Sequence, residues 1–430
     1  MAIGALLILA AVAALGPRVM PAHDQLARRV AAGAIFAASY LALAIGRIPG
    51  LSIDRAGIAL VGASLMVVSG AIPLADAYRA IDIDTLTLLL GMMIIVANLR
   101  LSGFFALATN WVAGHARRPI LLLAAVIAIS GIASAFLVND AICLVLAPLV
   151  VDLTLALRRN PMPYLLGVAM ASNIGSTATI TGNPQNILIG SFSGIPYTAF
   201  AVALAPVAAV GLVVLLGLVA ALHRPEFSGD DRLQPRRLRI RVNRALVARS
   251  LLATAAVIAL FFAGQPPAKA AIIVGALLLL TRRMRSARVY AEIDWSLLLM
   301  FAGLFIIVAG AEQQLLTPPV IVAAGGLHLD RVPVLSAVTA VLSNLVSNVP
   351  AVLVLKPFVT ALADHDRAWM VVAMASTLAG NFTLLGSIAN LIVAEKAAQR
   401  GVEIGFWDYF RVGAPVTVLT LVLGTIWLGR

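Results

Sequence analysis

Residues 168–190, VAMASNIGSTATITGNPQNILIG, and residues 372–394, VAMASTLAGNFTLLGSIANLIVA, are one segment written twice at a constant offset of 204 residues. They align without a gap from Val168 and Val372 through Ser172 and Ser376, and again at Thr179/Thr383, Gly182/Gly386 and Asn186/Asn390. Both lie in strongly apolar surroundings, yet each is interrupted by a run of Gly, Ser, Thr and Asn. In a bilayer, unwound polar backbone is tolerated only where it is buried in protein or lines a water-filled cavity. Two helices broken at matching positions of two repeats are the strongest sequence pointer to the binding site of a transporter.

The wider chain agrees with a bilayer setting. Hydrophobic residues make up 61% of it and charged residues 12%, against about 25% charged in soluble domains. The fold class expected is an all-α polytopic membrane protein of the cell inner membrane. The net charge of +12 does not point to nucleic acid, because Lys and Arg fall in short clusters between apolar runs, as the positive-inside bias requires. Cys143 is the one cysteine, which excludes a disulfide or a thiol metal cluster. No basic region precedes the first apolar run, which argues against a cleaved signal peptide.

Apolar runs fall at 1–16, 30–51, 56–75, 84–101, 119–157, 163–190 and 198–222, then at 250–264, 268–281, 296–312, 332–363, 369–395 and 411–429. Between the two sets, residues 223–249 carry Arg224, Arg232, Arg236, Arg237, Arg239, Arg241, Arg244 and Arg249, a basic cytoplasmic linker. Arg282, Arg283, Arg285 and Arg288, two spans later, belong on the same side. The repeat extends past its opening pair. IDIDTLTLLLG at 81–91 resembles AEIDWSLLLMF at 291–301 with Asp84 opposite Asp294, and residues 131–150 match 339–359 with Asn139 on Asn348 and Pro148 on Pro357. The organisation expected is an extra N-terminal span within 1–29, a first repeat over 30–222, the linker at 223–249 and a second repeat over 250–430.

Charge orients the halves. Segment 119–157 lies between Arg117–Arg118 and Arg158–Arg159, so both its ends are expected in the cytoplasm. Its counterpart 332–363 is followed by Asp364, His365 and Asp366, so both its ends are expected outside. The same unit in opposite orientations defines an inverted-topology repeat, with each long segment entering and leaving on one side as a helical hairpin. The count is about 11 transmembrane helices of roughly 20 residues, plus two hairpins and two broken helices (163–190 and 369–395), with the N-terminus cytoplasmic and the C-terminus external.

At the hairpin tips stand Val138-Asn139-Asp140 and Ser347-Asn348-Val349-Pro350. Asn is a strong helix N-cap and Pro suits a first turn, so these residues could simply cap the returning arms. Alternatively, the returning arms aim free N–H groups and the positive dipole end at an anion. The broken helices offer Asn173, Ser176, Thr177, Asn381 and Thr383 as neutral substrate-binding groups beside Asn139, Ser347 and Asn348, while Asn183-Pro184 and Ser387 read as caps that restart a helix. Glycine and hydroxyl residues in membrane helices also serve close packing. Asp140 is the charge that points to function, because a carboxylate within a membrane segment is costly and rarely idle. Asp140, Asn139, Gly182 and Gly386 are the candidate groups for a coupling proton or sodium ion. Lys356, about 12 Å along its arm from the tip at ~1.5 Å per residue, could snorkel to the interface or meet substrate. Cys143 reads as an ordinary helix residue, and Glu395 and Lys396 as a helix end.

SNIGSTATITGNPQNILIG, GNFTLLGSIANLIVAE and the two tips resemble the ion-transporter superfamily of arsenite permeases, sodium/proton antiporters, citrate transporters and divalent-anion/sodium symporters, over the chain from about residue 30 to its end. The resemblance implies a homodimer with a scaffold domain, a transport domain of hairpins and broken helices, and an elevator mechanism. In the dicarboxylate branch each tip carries Ser-Asn-Thr. Here Asn139, Ser347 and Asn348 carry over, while Asp140 after the tip Asn resembles the arsenite-permease side, where proton coupling is expected. An ion-coupled secondary transporter follows, with no cofactor beyond H+ or Na+, no nucleic acid, and any ATP dependence requiring a separate ATPase subunit. Arsenite or antimonite efflux ranks first, a di- or tricarboxylate or another small anion second, and sodium/proton exchange third. A channel is the competing class. An intramembrane enzyme ranks third, because a membrane aspartyl protease needs two facing carboxylates and the position matching Asp140 is Val349.

Overall fold

The computed structural model describes residues 21–45, 53–228, 233, 243–281, 284–316 and 326–430. The extra span expected at 1–16, most of the basic linker, and Arg282 and Arg283 lie outside the described residues. Those described are helical throughout, with no strand. The first repeat runs α1 (Pro21–Ile45), α2 (Arg55–Val68), α3 (Ile83–Ser102), α4 (Pro119–Phe136), α5 (Asn139–Ala156), α6 (Pro161–Ser176), α7 (Pro184–Ser193) and α8 (Tyr197–Leu222). The second runs α9 (Arg244–Phe262), α10 (Pro267–Leu279), α11 (Trp295–Leu315), α12 (Val332–Val346), α13 (Asn348–Val359), α14 (His365–Ala379), α15 (Ile388–Ala398) and α16 (Phe406–Leu428). Each helix of the first repeat matches the helix eight labels later. Short helices at Leu74–Ala80, Phe104–His115, Arg224–Phe227 and Ser286–Tyr290 link them.

Eight of these helices are long and apolar enough to cross a membrane, and α2, α10, α12 and α13 are shorter apolar helices. The first described span begins earlier than the apolar run at 30–51: α1 starts at Pro21 and carries Asp24, Arg28 and Arg29 in its first turns, while residues 46–51 lie outside the described residues. The repeat register at α3 and α11 also needs correction. Asp82 caps α3 by accepting the Thr85 N–H at 2.9 Å, and Asp294 caps α11 by accepting the Leu297 N–H at 2.9 Å. The structural partner of Asp294 is therefore Asp82, not Asp84. Capping geometry, rather than the Leu run, sets the alignment.

Packing obeys a two-fold rule. α3 lies on α9 and α10 of the other repeat, and α11 lies on α1 and α2. A Cβ on Gly91 would come within 2.5 Å of the Ala271 backbone, and one on Gly303 within 2.7 Å of the Ala59 backbone. These are close small-residue crossings of the kind that hold membrane helices together. Both groups of three helices flank a central body in which α4 packs on α6, α12 on α14, and α8 on α16. Within that body α7 packs on α13 and α14 while α15 packs on α5 and α6, so the second half of each broken helix belongs to the other repeat's hairpin.

Candidate substrate and coupling site

The two breaks are stapled in the same way. In the first, Asn186 Nδ2 donates to the carbonyls of Ser176 and Thr179, each at 3.0 Å. In the second, Asn390 Nδ2 donates to the carbonyls of Gly380 and Thr383 at 2.8 and 3.2 Å. A Cβ on Gly182 would lie 2.1 Å from the Ser176 carbonyl oxygen, so the chain can turn back on itself only with glycine there. The helices restart as the sequence indicates. Asn183 Oδ1 accepts the Asn186 N–H at 2.8 Å, and Ser387 Oγ accepts the Ala389 N–H at 3.3 Å.

Asn173 joins the repeats. Its Nδ2 donates to Asn381 Oδ1 at 2.9 Å and Asn390 Oδ1 at 3.1 Å. Its Oδ1 accepts from Asn139 Nδ2 at 3.0 Å and Ser387 Oγ at 3.1 Å. The equivalent position in the second repeat, Thr377, accepts from Asn183 Nδ2 at 3.1 Å and Gln185 Nε2 at 3.2 Å. This reciprocal bonding holds two unwound segments face to face in the protein interior, where an unpaired polar group is costly.

The hairpin tips meet in front of this network. Neither returning arm is capped by a side chain: Val138 precedes α5 and Ser347 precedes α13, and no side chain accepts from the first-turn N–H groups of either arm. The simple capping role for Asn139 and Asn348 is thus replaced by another. Asn139 reaches across to Asn173, and Asn348 Oδ1 accepts from Ser343 Oγ at 2.6 Å. Ser347 holds φ 81°, ψ 158°, a region that side chains avoid and that clusters at functional sites.

A cavity of about 40 Å³ lies between the tips. It is lined by the first residues of four helices: Asn139 and Asp140 of α5, Pro184 and Gln185 of α7, Asn348 to Pro350 of α13, and Ile388 of α15 after Ser387. Four helix N-termini directed at one space make it favourable for an anion or for a group rich in oxygen. Asn139 Oδ1 is buried without a hydrogen-bond partner. From the flanking helices come Leu43, Leu297, Met300 and one charge, Arg55 at the start of α2. Arg55 stands across the cavity from Asp140, and no salt bridge joins them among the described residues.

Of the sequence candidates, Asn139, Asp140, Ser347 and Asn348 line this cavity. Asn173 and Asn381 sit behind it in the hydrogen-bonded layer, as do Ser176, whose hydroxyl donates to the Asn173 carbonyl at 2.8 Å, and Thr177, which does so at 3.2 Å. Gly182, Gly386 and Thr383 form the turns of the breaks. Sequence reasoning missed Arg55, Gln185 and Ser387 as lining residues. For Gln185 and Ser387 the signal was their place beside a restarting helix, but nothing local to Arg55 marks it. Lys356 lies away from the cavity, its Nζ 4.6 Å from the Phe192 ring centroid. Cys143 is buried and donates to Ser172 Oγ at 3.0 Å.

The citrate transporter family matches this sequence over residues 40–379 and again over 320–429. The chain belongs to the citrate transporter family. An uncharacterised transporter of Mycobacterium tuberculosis is 31% identical to this family member, over 93% of this chain and 97% of the relative. A silicon efflux transporter of Oryza sativa is 27% identical, over 89% of this chain and 94% of the relative. The crystal structure of the Alcanivorax borkumensis YdaH transporter superposes with a TM-score of 0.60 at 16% identity, covering 83% of this chain and 86% of that one, so the fold is shared. The chain is a multi-pass secondary transporter of this family, and not an enzyme.

Proposed function

We propose that the chain carries a small inorganic oxyacid or its anion, with arsenite and antimonite efflux first, by ion-coupled elevator movement. The body of hairpins and broken helices moves against α1–α3 and α9–α11 in a homodimer. The observation that carries this reading is the cavity itself, about 40 Å³, closed by both tips and walled by four helix N-termini. Space for a few water-sized groups suits one central atom with its hydroxyls better than a six-carbon tricarboxylate. The rice relative, named for silicon efflux, handles an element that is a small hydroxide in water.

Asp140 is the coupling carboxylate in this reading, taking a proton when substrate leaves and giving it up when substrate binds. The cavity shares Arg55, Leu297, Met300 and Ile388 with a vestibule of about 500 Å³ that also holds Asp54 and Asp294. The start of α11 follows the basic cluster around Arg285 and Arg288, so the positive-inside bias places this vestibule in the cytoplasm. The conformation described is then inward-facing. A carboxylate cargo is the second reading, favoured by Arg55 and by the family's own description.

Uptake into everted vesicles energised by a proton gradient separates these readings, with arsenite, silicate, succinate and citrate run in parallel. Arsenite accumulation that collapses with the gradient supports the first. Carboxylate movement without arsenite overturns it in favour of the second.

A further inference from the structure

Asp140 lines a second cavity besides the one between the tips. This side crevice, about 100 Å³, runs between α5 and the flanking helices, past Met93, Val96 and Ala97 of α3 and Ala141 and Leu144 of α5. Its polar groups are Asp140, Asp294, Arg100 and Glu292. Arg100 and Glu292 form a salt bridge with side chains 36% and 23% accessible, and Asp294 is exposed. Asn139, Ser347, Asn348 and Gln185, which line the tip cavity, have no part in the crevice.

The repeat supplies a control. The same crevice recurs in the second half, lined by Phe305, Val308, Ala309, Glu312 and Leu353, the partners of Met93, Val96, Ala97, Arg100 and Leu144. The gap is therefore a product of the architecture. What differs is its chemistry: the partner of Asp140 is Val349, which does not line the mate, and the moving body contributes Lys356 there instead. Only the first crevice brings a carboxylate of the central body to face carboxylates of the flanking helices.

We propose that this crevice is a proton entrance to Asp140 that bypasses the tip cavity, with Asp294, which stands where the crevice and the vestibule meet, as the relay and the Arg100–Glu292 pair at its outer end. The proposal rests on the coupling role of Asp140 given above. A proton from bulk water binds the Asp294 carboxylate and passes through water in the crevice, which has room for several molecules, to the Asp140 carboxylate. It returns by the same way, and no other bond changes. The charged groups facing Asp140 are Arg55 from α2, Asp294 capping α11 and Glu292 in the turn before it, and Arg100 from α3. α15 presents uncharged side chains there, Ile388 and Ile392, and on its own helix Cys143 is bonded to Ser172 of α6. With two entrances, Asp140 can exchange its proton while substrate fills the tip cavity. A single shared entrance would prevent that.

Two measurements test this. In a Cys143→Ser background, Ala141→Cys should react with a small charged thiol reagent applied to everted vesicles, while Val151→Cys, buried on the same helix, should not. Absence of reaction at position 141 overturns the route whatever the cargo is. Asn is an equally good N-cap, so Asp294→Asn preserves the start of α11 and removes the charge. It should slow proton-driven arsenite accumulation about a hundredfold, the lower range for a positioned proton-transfer group, and slow arsenite exchange at equal pH on both sides far less, since Asp294 only borders the vestibule there. Unchanged accumulation, or an equal loss of both activities, refutes the relay. Asp140→Asn with full proton-driven accumulation overturns the coupling role, and the route with it.

Discussion

Replacing Asn173 by Ala should loosen the joint between the repeats more than any other single change in the central body. The substitution removes four hydrogen bonds at 2.9–3.1 Å. It leaves Asn139 Nδ2 and Ser387 Oγ without acceptors, and Asn381 Oδ1 and Asn390 Oδ1 without this donor, in a region where Asn139, Asn381 and Asn390 are all buried. Side-chain hydrogen bonds inside membrane proteins average about 0.6 kcal/mol each, and a buried orphan in a dry site costs about 1–3 kcal/mol. The expected loss is therefore about 2–5 kcal/mol, the lower bound being four average bonds and the upper adding one uncompensated group. Unfolding of the purified protein in mixed detergent measures it, with Thr420→Ala as the reference, since that hydroxyl only returns to its own helix at 2.8 Å. A double substitution with Asn139→Ala should lose less than the two single losses combined, because both remove one shared bond. A loss below about 0.5 kcal/mol for Asn173→Ala, or strict additivity with Asn139→Ala, would show that the Asn cluster is not a joint.

Three further outcomes are expected. Asp140→Asn should abolish accumulation coupled to the ion gradient while folding is retained, read by vesicle uptake beside size-exclusion chromatography; retained coupling removes Asp140 from that role. Asn139→Ala and Asn348→Ala should each raise the half-saturating substrate concentration, by about five- to tenfold for one hydrogen bond of ~1 kcal/mol or slightly more, and unchanged values in both would remove the tips from the site. Arg55→Gln should weaken citrate binding far more than that of neutral arsenite in a thermal-shift titration, since Arg55 is the one cation of the cavity wall among the described residues; an equal effect on both would assign Arg55 a structural role.

Much of the architecture could be read from residue order. The broken helices were visible because Gly, Ser, Thr and Asn within an apolar run have few uses in a bilayer, and Asn183 and Ser387 marked where helices resume. The hairpin tips at Asn139 and Asn348 were visible as paired polar midpoints of long apolar segments. The register at Asp82 and Asp294 was not, because Leu runs align equally well at neighbouring offsets and only the cap bond to Thr85 or Leu297 discriminates.

The composition, the doubled segment and the placement of arginines were sufficient to establish a helical membrane transporter with two repeats, because lipid allows few solutions to backbone hydrogen bonding. Those constraints are local: they act on each helix and its immediate neighbours in the chain. Which polar groups face one another is a matter of long-range packing. The tips of α5 and α13 are brought together by helices distant in the sequence, and the bond from Asn173 to Asn390 spans 217 residues. Arg55 becomes part of the cavity, and Asp294 a neighbour of Asp140, because α2 and α11 cross at small residues. No periodicity in the chain encodes such a crossing, since it depends on the shape of two surfaces at once.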